Sequence, residues 1–355
     1  MSKRTAIYGS GAMVFLLLAV RLFAGGWEKI DWKVEKGKEG LAGFKTVFFI
    51  NEKVGWIGGV GRPIPYHTPI PYFLHTNDGG ENWYNLCKKG KGLGASQIWF
   101  SDENNGWMVG SGSWIYQTKD GGYTWKKVFQ CDWAATQCLC DVTFPHDKKH
   151  GWVSGNRVIA FTVDGGETWS PGIAGVDKQT GEPKFPYGNT FSLCFPKDNK
   201  IGWASSIFII HTEDGGWNWA YRPGGLWRYH KNIYKVVFSK DLQRGWAVAE
   251  YAKREAAQAS WLHGPILFTV DGGKTWHDAA QPYTEALYNV ALVDDEKGEL
   301  WAVGEKGTIL HSTNGKSWEK VESTTEENLR GIFFVGNAGW IVGDNGTVLK
   351  YTKEQ

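Results

Sequence analysis

An aspartate recurs in this chain inside one short motif, Thr-x-Asp-Gly-Gly-x-x-Trp, and a carboxylate could perform acid–base chemistry. The aspartates of the five complete copies are Asp78, Asp120, Asp164, Asp214 and Asp271. An enzyme needs a catalytic carboxylate once, whereas these five stand at the same place in successive repeats. We therefore predict a structural turn: the Asp accepts backbone N–H hydrogen bonds, the glycines supply positive φ, and the Trp is buried between sheets. A sixth, degenerate copy at residues 311–318 has Thr313 where the Asp stands.

Other catalytic signatures in the sequence are incomplete. Gly273-Lys-Thr275 looks like the end of a phosphate-binding loop, but the earlier glycine that such a loop needs is replaced by Phe268. The chain contains neither Gly-x-Ser-x-Gly nor His-Glu-x-x-His. A glycosidase would need two carboxylates facing one cleft. The long insertions described below offer only Asp132, Asp177, Glu182 and Glu255. The sequence therefore predicts a protein that is not an enzyme.

The five cysteines could form disulfides or ligate a metal. They are Cys87, Cys131, Cys138, Cys140 and Cys194. Cys131 with Cys138 or Cys140 would close a small loop in an exported protein, and the odd number leaves at least one thiol unpaired. Cys138-Leu-Cys140 is closer than the usual zinc-binding Cys-x-x-Cys spacing, and no matching second pair follows. We therefore expect no metal site and no cofactor.

Residues 221–231 form the densest cluster of binding chemistry, with three basic residues, three aromatic residues and no acid. Such a segment is either a solvated loop pinned by its aromatics or a recognition surface for an acidic or aromatic partner. Recognition would use cation–π and bidentate arginine contacts. The candidate partner-binding residues, taken from this and other long loops, are Arg62, Arg222, Trp227, Arg228, Tyr229, Arg254 and Trp261.

Two repeated signals describe the elements that position these residues. Gly-Trp stands at the same place in six repeats, at Trp56, Trp107, Trp152, Trp203, Trp246 and Trp340; Trp301 fills the seventh place, and the steps between these tryptophans run from 39 to 55 residues. Strand-like repeats of this period are typical of a β-propeller. We predict an all-β, seven-bladed β-propeller of four-stranded antiparallel blades, with no sustained helix. The predicted first strands are residues 44–50, 97–100, 139–144, 191–195, 233–238, 287–293 and 329–335.

The last repeat ends after its third strand, and its missing fourth strand is predicted at the other end of the chain. Trp27-Glu28-Lys29-Ile30 matches Trp318-Glu319-Lys320-Val321, the fourth strand of the sixth repeat. An N-terminal strand within residues 27–33 would therefore pair with the last blade. This pairing closes the ring and covers a sheet edge. The predicted propeller domain is residues 27–355.

The antiparallel order of the strands assigns each loop to one of two faces. The turn motifs, which are commonly called Asp-boxes, and the short loops fall on one face, which we call the Asp-box face. The long insertions fall on the opposite one, which we call the insertion face. They are residues 61–72, 131–137, 171–189, 221–232 and 251–264. Long loops on one rim of a rigid scaffold are the usual place for function.

Residues 1–26 have the pattern of an export signal. Lys3 and Arg4 form a basic start, residues 12–20 are apolar, and Ala24-Gly25-Gly26 is a small-residue cleavage site. The alternative is an uncleaved N-terminal anchor over residues 7–23. With Lys3, Arg4 and Arg21 removed, 36 basic residues face 37 acidic ones in residues 27–355. Nothing in this balance predicts a nucleic-acid partner.

The turn motifs, known as Asp-boxes, the Gly-Trp strands and Trp340-Ile-Val-Gly-Asp-Asn-Gly-Thr-Val-Leu-Lys together resemble the photosystem II stability/assembly factor family. The resemblance covers residues 27–355. It implies an exported, non-catalytic propeller scaffold that binds a protein partner while a membrane-associated complex is assembled or stabilised. The compartment would be the periplasm, or the thylakoid lumen in a phototroph, and the expected state is a monomer. The family's arginine-rich contact patch would correspond here to Arg62, Arg222, Arg228 and Arg254.

The Asp-box alone also occurs in sialidases, xyloglucanases and sortilin-type receptors. The alternative interpretation is therefore an Asp-box glycoside hydrolase or a carbohydrate-binding propeller. A pigment or a carbohydrate is retained as a further ligand hypothesis.

Overall fold

The computed structural model describes residues 25–30, 41–62, 70–87, 94–110, 112–131, 138–173, 188–221, 230–251, 265–281 and 285–353. The strands in these residues form seven antiparallel sheets of four strands each, and short 3₁₀ turns follow two of them. This arrangement confirms the predicted seven-bladed propeller. The innermost strands begin and end within three residues of the predicted bounds.

The first four blades are continuous in sequence. Blade 1 contains β2 (Leu41–Phe49), β3 (Gly55–Arg62), β4 (Ile70–Thr76) and β5 (Tyr84–Asn85). Blade 2 contains β6 (Ala95–Phe100), β7 (Gly106–Gly110), β8 (Trp114–Thr118) and β9 (Lys126–Gln130). Blade 3 contains β10 (Leu139–Thr143), β11 (Gly151–Gly155), β12 (Val158–Thr162) and β13 (Ser170–Pro171). Blade 4 contains β14 (Ser192–Cys194), β15 (Gly202–Ser205), β16 (Ile209–Thr212) and β17 (Ala220–Tyr221).

The last three blades include the one that joins both ends of the chain. Blade 5 contains β18 (His230–Phe238), β19 (Gly245–Tyr251), β20 (Ile266–Thr269) and β21 (His277–Asp278). Blade 6 contains β22 (Leu287–Asp294), β23 (Glu299–Gly304), β24 (Ile309–Ser312) and β25 (Glu319–Val321). Blade 7 contains β26 (Leu329–Val335), β27 (Ala338–Gly343), β28 (Val348–Lys353) and β1 (Gly25–Lys29).

A Gly-Trp pair lies at the start of the second strand in six of the seven blades, and both residues have a steric reason. The ring of Trp152 stacks on the ring of Phe195 in the next blade, with centroids 3.8 Å apart. A Cβ at Gly151 would lie 2.3 Å from the ring of Phe144, so only glycine fits there. The apolar cores therefore lie between blades. One of them joins blades 3 and 4 through Trp152, Ile159, Phe161, Leu193, Phe195, Ala204, Ile210 and Trp219.

The ring closes through the N-terminal strand, as predicted. β1 pairs antiparallel with β28 from Gly25↔Lys353 to Lys29↔Leu349. Trp27 is buried, and its ring lies 5.6 Å from that of Trp301 and 5.3 Å from that of Tyr351. The two ends of blade 7 therefore meet at the Asp-box face, where the other blades carry a turn.

The Asp-boxes are structural turns, and the fourth copy shows how they work. Asp214 Oδ1 accepts the Thr212 hydroxyl at 2.9 Å and the Asn218 backbone N–H at 2.9 Å. Thr212 Oγ1 in turn accepts the N–H of Gly216, at 2.9 Å. Gly215 and Gly216 have φ of 78° and 97°, which a side chain would strain. Thr, Asp and both glycines are therefore each required by the turn.

The degenerate sixth copy differs from the prediction. Asn314, not Thr313, takes the place of the Asp, because its Oδ1 accepts the backbone N–H groups of Lys316 at 2.8 Å and Ser317 at 2.9 Å. Ser312 replaces the Thr and accepts the N–H of Gly315 at 2.8 Å. The turn contains one glycine fewer, so alignment from the Trp alone shifts every earlier residue by one.

Candidate functional site

The innermost strands of the seven blades enclose a central cavity of about 930 Å³. Side chains from β2, β6, β10, β14, β18, β22 and β26 line it. All of these strands begin at the insertion face and run toward the Asp-box face. Residues early in each strand therefore lie near the insertion-face mouth, and residues late in each strand lie near the other end.

A bulge repeated in six blades places extra side chains on the wall of this cavity. In these blades the pairing of the first and second strands skips one residue of the first strand. Such a bulge turns a side chain out of the regular alternation. The skipped residues are Lys45, Ser96, Cys140, Tyr234, Tyr288 and Arg330, and all of them line the cavity.

The residues that follow the bulges form a hydrogen-bonded polar girdle. Asp141, 3% exposed, accepts the Leu193 backbone N–H at 2.9 Å and the Gln97 Nε2–H at 3.2 Å. Gln97 also accepts the hydroxyl proton of Thr46 through its side-chain oxygen. The ammonium of Lys235 lies 3.5 Å from Asp141 Oδ2. The buried carboxylate is therefore satisfied by groups from blades 2, 4 and 5.

The opposite wall carries tyrosines and an arginine that are also engaged. Arg330 holds Asp344 through two hydrogen bonds, at 3.2 and 2.7 Å, and its guanidinium lies 4.3 Å from the ring centre of Tyr288. The Tyr288 hydroxyl donates to Glu305 at 2.9 Å. Burial and this hydrogen bond raise the pKa of Tyr288 to about 12, so the phenol remains a neutral donor. Such a wall offers aromatic faces and fixed charges rather than proton-transfer groups.

The other end of the cavity is apolar on the side of blades 7, 1 and 2. The ring of Phe48 lies 5.0 Å from that of Phe333 and 5.8 Å from that of Trp99. The cavity is therefore amphipathic along its axis, with a charged mouth at the insertion face and an aromatic end toward the Asp-box face. An apolar side chain inserted from the mouth would reach this aromatic end.

The carboxylates beside the cavity have partners that restrain them. Glu250 Oε2 accepts the Tyr234 hydroxyl at 2.7 Å, and Asp141, Asp344 and Glu305 hold the partners given above. An acid and a base for glycoside hydrolysis would need a pair of carboxyls across an open cleft. Within the ranges that the structure describes, the cavity does not present such a pair.

The predicted partner-binding residues lie almost entirely outside the described residues. Arg222, Trp227, Arg228, Tyr229, Arg254 and Trp261 belong to this group. Arg62 ends β3, where it pairs with Leu41 at the insertion face. In blade 5, β18 and β19 extend as far as the pair His230↔Tyr251. The paired first and second strands of blades 1 and 5 therefore extend far toward the insertion face, and most of the candidates precede β18 or follow β19 in the sequence.

The Asp-box aspartates lie in hydrogen-bonded turns on the Asp-box face. Burial alone would raise the pKa of Asp164, but hydrogen bonds from Thr168 and Thr162 outweigh it and lower the value to about 2. Asp78 and Asp271 are held at about 2 in the same way. Such carboxylates stay ionised as hydrogen-bond acceptors, and a general acid would need the opposite shift.

The bulge residues were missed by reasoning from the sequence, although a signal was present. Inside several apolar first strands, two neighbouring polar or bulky residues break the expected alternation, as in Lys45-Thr46 and Tyr234-Lys235. Adjacent residues of this kind indicate a bulge that directs both toward one surface.

Neither a membrane span nor a metal site is found among the described residues. No helix in this part of the chain is long and apolar enough to cross a membrane. No group of three or more His, Cys, Asp or Glu side chains in the same ranges is arranged to hold a metal ion.

Comparison with known proteins relates this geometry to one family. The profile of a family described as "Photosynthesis system II assembly factor YCF48" matches residues 255–331 and 286–352. A rice protein named "Photosystem II stability/assembly factor HCF136, chloroplastic" is 26% identical over 87% of this chain and 67% of its own length. "Photosystem II assembly lipoprotein Ycf48" of Synechococcus sp. CC9902 is 23% identical over 71% of this chain and 83% of its own length. The chain resembles photosystem II assembly factors.

Solved structures support the fold of this assembly-factor-like propeller. The structure titled "YCF48 bound to D1 peptide" aligns with a TM-score of 0.65 and 20% identity, covering 92% of this chain and 97% of that one. An ancestral GH74 enzyme also aligns, with a TM-score of 0.66 and 12% identity, covering 89% of this chain and 45% of the enzyme. At such identities both likenesses show the propeller alone. The sequence relatives are named as assembly factors, not as enzymes.

Proposed function

We propose that this assembly-factor-like propeller is a non-catalytic scaffold that binds a protein partner during assembly or stabilisation of a membrane-associated complex of the photosystem II type. The observation that supports it best is the charged and aromatic mouth of the central cavity on the face that carries every long insertion. A rigid ring with such a rim suits recognition of a partner segment.

The partner site is proposed to combine the cavity mouth with the insertion loops above it. In sequence, Arg222 and Arg228 follow the last strand of blade 4 and Arg254 follows β19 of the adjacent blade 5, which supports the proposal of one shared site. Trp227, Tyr229 and Trp261 would supply aromatic anchors, as is common at hot spots. Below them, Tyr234, Tyr288 and Arg330 would receive a side chain of the partner.

An exported location is part of the proposal. The apolar segment before β1 supports translocation of the chain, and relatives are named as chloroplastic proteins or lipoproteins. Residues 1–24 lie outside the described part of the chain, so cleavage or retention of this segment is a matter for N-terminal sequencing of the exported protein.

The proposal is tested by charge reversal on the insertion face. A labelled D1 peptide, of the kind named for the solved relative, would be titrated with the wild type and with the double variant Arg222→Glu and Arg228→Glu, and binding followed by fluorescence anisotropy. We expect the double variant to bind at least about tenfold more weakly, equivalent to about 1.4 kcal/mol. Its association rate should also lose most of its dependence on salt.

The matched control reverses two lysines on the Asp-box face, Lys53→Glu and Lys274→Glu. Both lysines are exposed. The control should bind the peptide like the wild type. Equal binding by both double variants, with unchanged melting temperatures, would reject the insertion face as the site. Turnover of chromogenic glycosides by the wild type would reject a non-catalytic role.

A further inference from the structure

Three aromatic side chains at the deep end of the central cavity are only partly covered by the fold. Phe48, Trp99 and Phe333 line the cavity, and each of them is half-buried. Each ring packs against a different one of the apolar cores between blades. The fold therefore covers one side of each ring, and the remaining aromatic surface borders the cavity. Such a surface is stabilised by contact with an apolar group of a ligand.

A lysine lies above these rings, nearer the mouth at the insertion face. Lys45 is the bulge residue of β2, and its exposed side chain lines the cavity. Phe48 follows it by three residues on the same strand, which corresponds to a rise of about 10 Å. One side of the cavity therefore presents a cation first and an aromatic surface below it.

The ammonium of Lys45 is the charge on the cavity wall that lacks a counter-charge. Lys235 lies 3.5 Å from Asp141, and Arg330 lies 2.7 Å from Asp344. Within the ranges that the structure describes, Lys45 has neither an ion-pair partner nor a hydrogen-bond partner. The lining in these ranges contains three cations and two carboxylates, and this excess of positive charge favours an anion.

Most of the remaining polar groups of the wall are already bonded. Thr46 and Gln97 belong to the polar girdle, and the hydroxyls of Tyr234 and Tyr288 donate to glutamates. Cys140 also lines the cavity, and its thiol, which is free like those of the other four cysteines, is only a weak donor. Burying a ligand hydroxyl without a hydrogen bond is costly. This wall therefore suits an aromatic ligand better than a carbohydrate.

We propose that the central cavity binds an aromatic anion, which is a planar ring that carries a carboxylate or a sulfonate. The ring lies against Phe48, Trp99 and Phe333, and the anionic group meets Lys45 nearer the mouth. The ring contacts supply most of the affinity, and the lysine sets the preference for an acid over a neutral ring. A free aromatic acid and an aromatic residue beside a carboxylate of a protein partner share this chemistry. In the second case the inference rests on the proposed function.

The test compares two fluorescent dyes that differ by one sulfonate, anilinonaphthalene sulfonate and the neutral phenylnaphthylamine. We expect the whole chain to bind one molecule of either dye, with a rise in fluorescence. Lys45→Met should weaken binding of the sulfonate by about fivefold or more and leave binding of the neutral dye unchanged. Lys274→Met is the matched control, because it removes an exposed lysine from the Asp-box face, and it should change neither affinity.

Two further variants separate the cavity from the insertion loops. Ser96→Trp places an indole in the cavity from the bulge of blade 2, and it should weaken binding of both dyes by at least about tenfold, because it fills the space that the ring needs. The double variant Arg222→Glu and Arg228→Glu should bind the neutral dye like the wild type. Failure of the proposed partner site and failure of this cavity site are therefore distinguishable.

Competition identifies the source of the aromatic anion. Displacement of the sulfonate dye by the D1 peptide would assign the group to a protein partner. Displacement by N-acetyltryptophan and not by the peptide would assign it to a free aromatic acid.

Three results would overturn the proposal. The first is a wild type that binds neither dye. The second is equal binding by the wild type and Ser96→Trp at a native melting temperature, since the dye would then lie outside the cavity. The third is equal weakening of both dyes by Lys45→Met, which would show that the lysine does not select an anion.

Discussion

The tryptophans of the Gly-Trp pairs join neighbouring blades in two ways. The face of the indole ring packs against the next blade, and the N–H group at its edge donates a hydrogen bond. In four of the described blades the indole N–H donates to an Asp-box glycine carbonyl of the next blade. The pairs are Trp56 to Gly121 at 2.9 Å, Trp152 to Gly215 at 2.8 Å, Trp246 to Gly315 at 2.9 Å and Trp340 to Gly79 at 3.2 Å. Since the rings of Trp56, Trp152 and Trp340 also stack on phenylalanines, one residue connects the core between blades to the turns on the Asp-box face.

We expect Trp152→Phe to destabilise the propeller more than Trp203→Phe. Both rings stack on a phenylalanine of the next blade, at 3.8 Å for Trp152 and 3.7 Å for Trp203, but the Trp203 N–H has no hydrogen-bond partner. The two variants leave similar cavities, and Trp152→Phe also leaves the half-buried Gly215 carbonyl without its donor. The difference in unfolding free energy should be about 1–2 kcal/mol, measured by urea denaturation. Equal losses would mean that this hydrogen bond adds no stability.

The Asp-box aspartate should contribute to stability and not to binding. Asp271→Ala removes acceptors for the Thr269 hydroxyl at 2.8 Å and the Thr275 backbone N–H at 2.9 Å. We expect a loss of about 1–2 kcal/mol in unfolding free energy with unchanged peptide affinity. Lys274→Ala is the control, because it alters an exposed side chain of the same turn and keeps the backbone. Abolished binding at an unaltered melting temperature would make the turn a binding site.

The Asp271 carboxylate should also make the stability of the folded chain depend on pH. The pKa of Asp271 in the folded chain is about 2, below its ordinary value of 3.8. Because the folded chain lowers this pKa, the carboxylate stabilises the fold fully at pH values above the ordinary pKa. This contribution to the free energy of unfolding is lost as the pH falls through the pKa of the folded chain. The stability deficit of Asp271→Ala relative to wild type should therefore shrink between about pH 4 and about pH 2. A constant deficit over that range, in urea titrations, would contradict the assigned hydrogen bonds.

At this scale the sequence was informative where a side chain and its partner lie in the same turn. Thr212, Asp214 and Gly216 are all within a few residues, so their spacing alone predicts their contacts. Asp141 could not be assigned in this way, because its partners Gln97, Leu193 and Lys235 come from three other blades. The register between strands decides such contacts, and one bulge shifts it.

At the scale of single elements, β1 contributes more to closure of the ring than its five residues suggest. It supplies the outer strand of blade 7, and Trp27 fills the place that an Asp-box tryptophan occupies in other blades. Trp27 also packs edge-on against Phe334, with centroids 5.8 Å apart. The match between Trp27-Glu28 and Trp318-Glu319 predicted this strand, although the pairing starts two residues earlier, at Gly25.

Trp27→Ala is expected to open the ring. Removal of a buried indole typically costs about 3–5 kcal/mol, and the freed edge of β28 would favour aggregation. Glu28→Ala, on the exposed side of the same strand, should be close to neutral. Melting curves and light scattering would measure both effects. A melting temperature for Trp27→Ala equal to that of wild type would show that closure does not depend on this strand.

At the scale of the whole molecule, the number of blades was predictable because a Gly-Trp pair or its counterpart Trp301 marks every repeat and a turn motif marks six of them. The central cavity was not, since it belongs to no single repeat: seven strands that are distant in sequence form its wall. The same holds for the proposed partner-binding face. Topology assigns loops to that face, but the positions of Arg222 and Trp227 within it depend on loop conformation rather than on any repeated spacing.

The mode of closure can be tested by circular permutation. Lys353 and Gly25 would be joined through a short linker, which makes β28 and β1 a continuous hairpin and completes blade 7. One permutant opens the chain between Gly272 and Gly273, inside blade 5, and keeps a strand-paired closure there. A second opens it within residues 282–284, between blades 5 and 6, and keeps only packing. We expect the first to have the higher melting temperature. The reverse order would show that strand pairing across the two ends is dispensable.

The position of the two ends in blade 7 also has a mechanical consequence. Gly25 and Lys353 are partners at the same end of an antiparallel pair. A force that separates the ends would act at right angles to β1 and load its hydrogen bonds one after another, as when a zipper is opened. This pulling direction does not slide one strand along the other, so the hydrogen bonds do not share the load at the same time. In an optical trap with handles at the two ends, β1 should peel off at low force before any blade unfolds, and the ring should reseal when the tension is released.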